Sequence, residues 1–343
     1  MSEHPLPKDT GNVLSRSRIK HSNFALYFQR MLEGWGSTLQ NWTTANAYDV
    51  ERHIIGPAKT IFTQENSSDL LRALHARQEY FLKRFRDRRG QKTTCEAKGA
   101  VIWRLLTGLA TPSLLDNGIT LHRVYGFPML PGSAVKGLLR NYRLEQIAGL
   151  LDVVPLHPEK MKDRHGPTPW QNLETLLLMP DPSDKEEKTQ MKEMYDRLRS
   201  DADLGEGELK KGSISLDRLR NDETYGAAPF RRAFGSTKEQ GEVIFLDAYP
   251  QELVKEGVPI LEAELINPHY GDYYTKGGIP SDDQNPIPVP MIAVRAGTSF
   301  SFRMACQDAD LLQNHVGPWL RNALSDWGVG AKTRSGYGEL DVE

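Results

Sequence analysis

The spacing of apolar residues predicts a helical first third of the chain. Apolar side chains recur at helical intervals over residues 22–35 and again over residues 70–85. The segment 67–69, Ser-Ser-Asp, is a typical N-cap sequence, so the second helix is expected to begin there and to end at Gly90. Together with a polar arm at the start, these helices are predicted to form an N-terminal region, residues 1–95.

The remaining residues, 96–343, change to short apolar runs and alternating segments separated by glycine and proline, a pattern typical of strands and turns. Helices are predicted over 133–151 and 311–327, and a polar insertion over 152–220, whose middle we expect to be a solvated loop or the start of a helix. This order predicts an α+β domain with helices over one face of a largely antiparallel sheet, and a ferredoxin-like (RRM-like) core fits it best. The segments predicted to be strands are 99–108, 118–125, 241–249, 262–267, 287–295 and 298–305.

Composition narrows the class of protein. The 343 residues include 38% hydrophobic and 26% charged side chains, an ordinary balance for a soluble protein. No apolar run approaches the roughly 18 residues that a membrane-spanning helix needs, and the N-terminus lacks the apolar segment of a signal peptide. Cys95 and Cys306 lie far apart and offer neither a disulfide framework nor a cysteine-rich zinc site. We therefore expect a cytoplasmic protein without membrane contact, metal or cofactor.

The charge distribution leaves room for local basic surfaces. A net charge of −2 argues against a protein that binds nucleic acid through its overall charge. Acidic residues, however, concentrate between 181 and 208, while basic residues concentrate at 15–21 and 72–89. The basic helix over 70–89 is interpreted either as a surface for RNA or an acidic partner, or as a solvated helix face.

The end of the chain holds its most specific motif. Four glycines occur between positions 328 and 338, with two cations and a tyrosine between them. Glycine allows close approach of the backbone to a ligand, successive amides can form an anion-binding nest, and tyrosine offers a flat face to a base. The segment is therefore predicted to bind RNA phosphates beside unpaired bases, with a plain connector as the alternative; Tyr337 either stacks on a base or braces the loop. The predicted contacts are Gly328, Gly330, Lys332, Arg334, Gly336, Tyr337 and Gly338.

A second glycine-containing motif lies at positions 130–140. Ser133 is expected to cap a helix on which Lys136, Gly137 and Arg140 share one face, while apolar residues occupy the opposite side. A helix N-terminus with two cations and a glycine suits phosphate binding, and an ordinary amphipathic helix with solvated cations is the alternative. We expect this helix and the glycine loop to form two halves of one RNA-binding groove.

The two motifs, Pro-Gly-Ser-x-x-Lys-Gly-x-x-Arg and Gly-x-Gly-x-Lys-x-x-x-Gly-Tyr-Gly, resemble those of the RAMP proteins of CRISPR systems. Two further segments, 234–250 and 267–290, resemble blocks of one RAMP branch, the sixth subunit of type III-B Cmr effector complexes. The similarity covers roughly residues 99–343 apart from the insertion. One position departs from the pattern, because Ala134 stands where a second serine is usual.

The resemblance implies a non-catalytic subunit that binds guide RNA (crRNA) and caps a filament of backbone RAMP subunits near the crRNA 3′ end, in antiviral defence. The implied partners are crRNA, target RNA indirectly, the backbone RAMP subunit, the small helical subunit and the first RAMP subunit. Cleavage of target RNA is implied to belong to the backbone subunit. Two alternatives stay open: a metal-independent endoribonuclease that processes CRISPR RNA, and a purely architectural filament cap.

The nuclease alternative needs a proton acceptor and a proton donor near a 2′-hydroxyl, usually histidine or tyrosine. His122 precedes the helix motif and is interpreted as an RNA contact or a satisfied surface histidine. His269 and Tyr270 are interpreted as structural or interface residues, and Asp247 as a carboxylate whose partners organise the fold. No pair of histidines has the His-x-x-x-His spacing of a metal site.

Overall fold

The computed structural model describes residues 23–30, 50–111, 117–150, 167–200, 216–221, 227–236, 238–267, 277 and 289–343. The predictions that concern the N-terminal arm, the basic segment 15–21, His269, Tyr270 and most of the block 267–290 lie outside these residues.

The described part of the chain begins with helices, as the apolar spacing predicts. Helix α1 spans Phe24–Arg30. A π-helical turn, Glu51–Ile55, leads directly into α2, Gly56–Phe62, and α3 spans Glu65–Arg89. Helix α3 ends at the predicted residue, Gly90, whose φ of 111° is a conformation that favours glycine.

The start of α3 differs from the prediction. The helix begins at Glu65, with Gln64 as its N-cap residue, rather than at the triplet 67–69. The buried hydroxyl of Ser67 donates a 2.8 Å hydrogen bond to the carbonyl of Ile61. Because that carbonyl belongs to the end of α2, Ser67 joins two helices instead of capping one.

Helices and short strands alternate in the rest of the described chain. The further helices are α4 Gly132–Leu150, α5 Pro169–Leu178, α6 Lys185–Ser200, α7 Leu216–Asn221, α8 Ala227–Phe234 and α9 Gly317–Asp326. The strands are β1 Thr94–Val101, β2 Arg104–Leu105, β3 Val243–Phe245, β4 Tyr249–Pro250, β5 Val254–Lys255, β6 Val258–Pro259, β7 Leu261–Ile266, β8 Val289–Arg295, β9 Ser299–Cys306 and β10 Leu340–Val342.

The main sheet is antiparallel, with the strand order β10-β1-β9-β3 and with β4 also paired to β9. Its two long strands lie at the centre, where Ala97 is opposite Phe302 and both side chains are buried. A smaller sheet has the order β2-β8-β7, and β5 pairs with β6. Together with the helices, these sheets confirm a mixed α and β fold.

Two of the predicted strands are wrong, and a third, 241–249, is interrupted between β3 and β4. Segment 99–108 is divided, because β1 ends at Val101, the chain bends at residues 102–103, and β2 joins the smaller sheet. Segment 118–125 is not a strand: residues 118–121 are irregular apart from a bridge between Leu121 and Pro128, and residues 122–126 form a tight turn in which the His122 carbonyl accepts a 2.7 Å hydrogen bond from the Gly126 amide. The turn ends at Gly126, whose φ is 76°. The apolar residues of segment 118–125 alternate as they would in a strand, and this alternation led to the wrong prediction.

Helices pack on both faces of the main sheet, whereas one covered face was predicted. Cys95 of β1 faces α9, since a Cβ added at Gly317 would lie 3.3 Å from the Cys95 sulfur. The next residue along β1, Glu96, points to the opposite face and pairs with Arg303. Arg303 in turn contacts His75 and Gln78 of α3 at 3.0 and 2.9 Å, so α3 covers that second face.

The insertion is helical and packed where it is described, not merely polar and solvated. Helices α5, α6 and α7 fall within it, and α5 begins with a capping box in which Thr168 and Gln171 exchange hydrogen bonds. Leu176 and Leu198 are fully buried and belong to the main apolar core, which also includes Phe24 and Leu340. Among the helices of the described ranges, none has the length and apolar character to cross a membrane.

Candidate nucleic-acid interface

Helix α4, which carries the first basic motif, begins against the segment that follows β3. The Gly132 amide donates a 2.7 Å hydrogen bond to Oδ1 of Asp247, and the Tyr249 hydroxyl donates to Oδ2 at 3.2 Å. Position 132 has no room for a side chain, since a Cβ there would lie 2.3 Å from the Phe245 carbonyl oxygen. The prediction that Asp247 is a partnered carboxylate that organises the fold is confirmed.

The prediction that Ser133 caps α4 is wrong. The helix starts one residue earlier, so Ser133 lies in its first turn, where the residue is exposed. The Asp247 carboxylate already accepts the Gly132 amide and compensates the positive end of the helix dipole. The start of α4 is therefore less available to a phosphate than the sequence suggested, and the cations further along the helix matter more.

Lys136 and Arg140 line an open cleft of about 400 Å³ between α4, α5 and the end of α8. Nε of Arg140 lies 2.8 Å from Oε1 of Glu174, so the charge of this guanidinium is compensated. Burial, and then repulsion by Arg140, lowers the pKa of Lys136, and no carboxylate of the described ranges offsets this effect. Lys136 is therefore the cation of this cleft whose charge is available to an anion.

The glycine loop, residues 328–338, is held to the rest of the protein by its own backbone. Ala331 donates to the Leu106 carbonyl at 2.7 Å, and Gly338 donates to the Arg104 carbonyl at 2.6 Å. Amides bound in this way do not point at a ligand, so the predicted anion nest does not include them. The loop amides that donate within the protein are those of Val329, Ala331, Ser335, Gly336 and Gly338.

Three of the four glycines are required by close contacts inside the protein. A Cβ at Gly338 would lie 1.8 Å from the Val329 carbonyl oxygen, and one at Gly330 would lie 2.3 Å from the Leu106 carbonyl oxygen. A Cβ at Gly328 would lie 2.3 Å from the Gly338 carbonyl oxygen. At Gly336, by contrast, the first atom that a Cβ meets is 3.8 Å away, although the φ of 86° still favours glycine.

The tip of the loop presents cations to solvent. Lys332 and Arg334 are exposed around a 3₁₀ turn, Thr333–Ser335. Lys332 has a φ of 57°, in the left-handed region, where a side chain carries a steric cost of about 1–2 kcal/mol that glycine avoids. Of the described residues, only Glu256 shares such a φ without being glycine. The loop thus holds a lysine at a position where the backbone favours glycine.

Tyr337 is packed inside the protein, which favours the bracing role over base stacking. Its ring is buried and lies 4.7 Å from the ring of Trp103, centroid to centroid. Trp103 is 43% exposed, and the guanidinium of Arg104 lies 5.1 Å from its centroid. Sequence reasoning missed Trp103 as part of this site; its place inside a predicted strand concealed the bend that turns it towards the glycine loop.

His122 lies near the start of α4, as its position in the sequence suggested. Its ring stacks on Tyr125 at 4.5 Å, and its Nδ1 accepts hydrogen bonds from the amides of Val124 and Tyr125 at 3.2 and 3.1 Å. Burial lowers the pKa of His122, and the Asp247 charge partly opposes that effect. The ring therefore stabilises the 122–126 turn in its neutral form.

The contacts describe two basic patches rather than one groove. Helix α4 meets the segment that enters the glycine loop through Tyr142, whose hydroxyl donates to Asp326 at 2.6 Å and whose ring lies 5.4 Å from Trp327. At about 100° per residue, Tyr142 projects from the side of the helix opposite to Lys136 and Arg140. No residue of the glycine loop lines the cleft around these two cations.

The described residues contain no cluster of three or more histidine, cysteine, aspartate or glutamate side chains that could hold a metal ion. Cys95 and Cys306 are buried free thiols, and burial raises the pKa of both. Neither feature adds a reactive centre to the two patches.

Comparison with known proteins identifies the family. The model of the RAMP superfamily matches residues 98–341. The Cmr subunit Cmr6 of the CRISPR system of Pyrococcus furiosus is 32% identical over 241 residues, which are 69% of this chain and 64% of that protein. The match therefore spans a little less than two thirds of the length of this relative.

Two solved structures are also similar to the chain. One is the cryo-EM structure of the type III-B Cmr-beta bound to cognate target RNA, with 16% identity, a TM-score of 0.46, and coverage of 98% of this chain and 86% of the other. The second is the crystal structure of Cmr6 from Pyrococcus furiosus, with 28% identity, a TM-score of 0.40, and coverage of 72% and 97%.

Proposed function

The chain belongs to the RAMP superfamily, and on that premise we propose that it is a non-catalytic, crRNA-binding subunit of a type III-B CRISPR Cmr effector complex in the cytoplasm. In this role it caps the filament of backbone RAMP subunits near the crRNA 3′ end. It meets the backbone, small helical and first RAMP subunits there, and target RNA indirectly. The 32% identity to Cmr6 of Pyrococcus furiosus supports this assignment.

The observation that carries the proposal is the conformation of Lys332. A lysine in the left-handed region carries a steric cost that glycine would remove, in a loop where glycine occupies four other positions. Backbone strain of this kind concentrates at functional sites. The side chain of Lys332, exposed beside Arg334, is therefore the part of the loop that we assign to RNA binding, and its charge fits an RNA phosphate.

Helix α4 supplies the second proposed contact. Lys136 has no compensating carboxylate in the described part of the chain, and burial already disfavours its lone charge. A phosphate in the cleft would remove that penalty. Glycine in a helix costs about 0.5–1 kcal/mol relative to alanine, and Gly137 has no neighbour within 4 Å of a Cβ position that would explain it. Close approach of an RNA strand to the helix at Gly137 explains why glycine occupies this position.

We also propose that the main sheet is a ferredoxin-like core. In chain order, the strands β1, β3, β9 and β10 are the first to the fourth strand of this sheet. Across the sheet they lie in the order fourth, first, third, second, and all neighbouring pairs are antiparallel. Helix α4 connects the first strand to the second, and α9 connects the third to the fourth. A β-α-β-β-α-β order of this kind supports the ferredoxin-like class.

The absence of catalysis is part of the proposal. The candidate acid–base group is His122, and its Nδ1 accepts two backbone amides that close its own turn. These hydrogen bonds support a structural role for His122, since a general base needs a free nitrogen directed at the 2′-hydroxyl. Incubation of purified protein with CRISPR repeat RNA, with and without His122→Ala, is expected to give no specific cleavage in either sample. Specific cleavage that disappears in the variant would overturn the proposal in favour of the endoribonuclease.

Equilibrium binding of a labelled single-stranded RNA by the full chain tests the RNA contacts. The double variant Lys332→Gln/Arg334→Gln removes two phosphate contacts, so the slope of log Kobs against log salt is expected to fall in magnitude by about 1.4. Lys238→Gln is the matched control, because Lys238 is an exposed lysine paired with Glu187 at 2.6 Å. Equal slopes for the double variant, the control and the wild type would show that the loop does not bind RNA and would favour a purely architectural filament cap.

A further inference from the structure

Helix α3 carries an exposed stripe of arginine and aromatic residues that the function proposed above does not use. Its members follow one another at helical spacings of three, four, seven and eleven residues from the first, so they share one side of the helix. Tyr80 is 64% exposed and Phe81 is 38% exposed, and the three arginines are also exposed. This α3 stripe consists of Arg77, Tyr80, Phe81, Arg84 and Arg88.

The arginines of the α3 stripe are not compensated by carboxylates. Across the described ranges, no ion pair within 4 Å involves any of them, and Asp87 is an acidic residue beside the stripe rather than within it. Two other arginines of the same helix behave differently: Arg72 is paired with Asp69, and Arg86 is paired with Glu79 at 2.5 Å. Lys83 and Arg89 are also exposed and outside any ion pair of the described ranges, but they project from other sides of α3, so the stripe is distinguished by unpaired arginines beside exposed aromatic rings.

The opposite side of α3 fixes the orientation of the stripe. Leu71 and Leu82 are buried against the core. His75 and Gln78 each bind a backbone carbonyl after β3, those of Pro250 and Asp247, both at 2.8 Å. These contacts attach the helix to the main sheet, so the stripe is a rigid surface rather than a mobile one.

We propose that the α3 stripe binds single-stranded RNA, with its arginines on phosphates and its two aromatic rings stacked on bases. The proposal extends the function proposed above and rests on RNA being the ligand of the chain. An acidic protein surface would use the charges alone, whereas arginines beside exposed rings suit an unpaired strand, which offers both phosphates and base faces. The first and last arginines are eleven residues apart, about 17 Å along the helix, a length that several nucleotides of an unpaired strand can follow.

The stripe lies outside the part of the chain that the RAMP superfamily matches, which begins at residue 98. It therefore adds a surface to the RAMP core. Gln78, the residue after Arg77, donates to the Asp247 carbonyl at 2.8 Å, and Asp247 accepts the amide at the start of α4. One end of the stripe is consequently close to the helix that carries Lys136.

Binding of a fluorescein-labelled polyuridine of about 20 nucleotides to the full chain, followed by anisotropy over a range of salt concentrations, tests the proposal. Arg77→Gln/Arg84→Gln/Arg88→Gln is expected to weaken binding at least tenfold and to lower the magnitude of the salt slope by about 2. The matched control Arg72→Gln/Arg86→Gln removes paired arginines from the same helix and is expected to change affinity less than twofold. Tyr80→Ala is expected to weaken binding about fivefold or more with the slope unchanged.

A triple variant that binds polyuridine as well as the control does would overturn the proposal. If that variant also lost a co-purifying acidic protein, the stripe would be a protein-binding surface. The variant Lys332→Gln/Arg334→Gln, measured in the same assay, separates the two hypotheses. If only the loop variant loses affinity, the stripe proposal fails and the proposed function stands. If only the triple variant loses affinity, the stripe stands and the loop contacts fail. Absence of binding by the wild type contradicts both.

Discussion

Asp247 accepts the backbone amide of Gly132 at 2.7 Å, and this hydrogen bond fixes where α4 begins. The two residues are 115 positions apart in the sequence. Their contact joins the segment after β3 to the basic helix and sets the direction in which Lys136 projects. A carboxylate from the segment after β3 thus performs the capping role that the sequence assigned to Ser133.

Replacement of this cap is expected to destabilise the fold. Asp247→Ala leaves the Gly132 amide without its acceptor and should lower the free energy of unfolding by about 1–3 kcal/mol. Asp247→Asn keeps an acceptor and should lose less. Urea unfolding followed by circular dichroism measures both. Equal stability of Asp247→Ala and the wild type would show that α4 does not depend on this contact.

The glycines of the loop are expected to differ in their tolerance of alanine. Gly338→Ala places a Cβ 1.8 Å from a carbonyl oxygen and should destabilise the protein well beyond the conformational cost alone. Gly336→Ala meets no close atom and should cost only about 1–2 kcal/mol, the price of its positive φ. Thermal unfolding of the two variants provides the comparison. A similar loss in both would mean that backbone packing does not shape the loop.

Tyr337 is expected to matter for stability. Its ring is buried against Trp103, so Tyr337→Ala should cost about 3–5 kcal/mol, as for other large aromatic residues in a core. Tyr80→Ala, which removes a tyrosine that is 64% exposed, is the control and should change the free energy of unfolding by less than about 0.5 kcal/mol. A Tyr337→Ala variant as stable as this control would show that Tyr337 does not brace the loop and would favour its stacking on a base.

Stability is expected to decrease on mild acidification. Burial, aided by the charge of Arg303 beside Nδ1, lowers the pKa of His75 below 6.5, and the hydrogen bond from Nε2 to the Pro250 carbonyl opposes this only in part. Near pH 6 the unfolded chain therefore binds a proton that the folded protein does not, so the free energy of unfolding falls as pH drops below about 6.5. Burial of His122 acts in the same direction.

Urea unfolding at pH 7.5 and pH 5.5 measures this effect. His75→Gln should reduce the difference between the two pH values, and His122→Gln should reduce it separately. A wild-type stability that rises on acidification would contradict the neutral state of both rings.

The sequence predicted elements better than it predicted their relations. Strands β7, β8 and β9 and the end of α3 at Gly90 lie where the residue pattern placed them. The cap of α4 could not be foreseen, because Asp247 reaches Gly132 only after the main sheet forms. The glycines of the loop suggested ligand approach, but carbonyl oxygens of Val329 and Leu106, brought close by folding, require two of them. Long-range contacts of this kind leave no local sequence signal.

The most direct test of the central claim, that the exposed cations hold RNA, is ultraviolet crosslinking of RNA within the assembled effector complex, with the adducts mapped to residues. Adducts are expected at the loop tip, around Lys332 and Arg334, and on the Lys136 side of α4. Complete absence of adducts from these two patches, in a complex whose other subunits do crosslink, would contradict that claim.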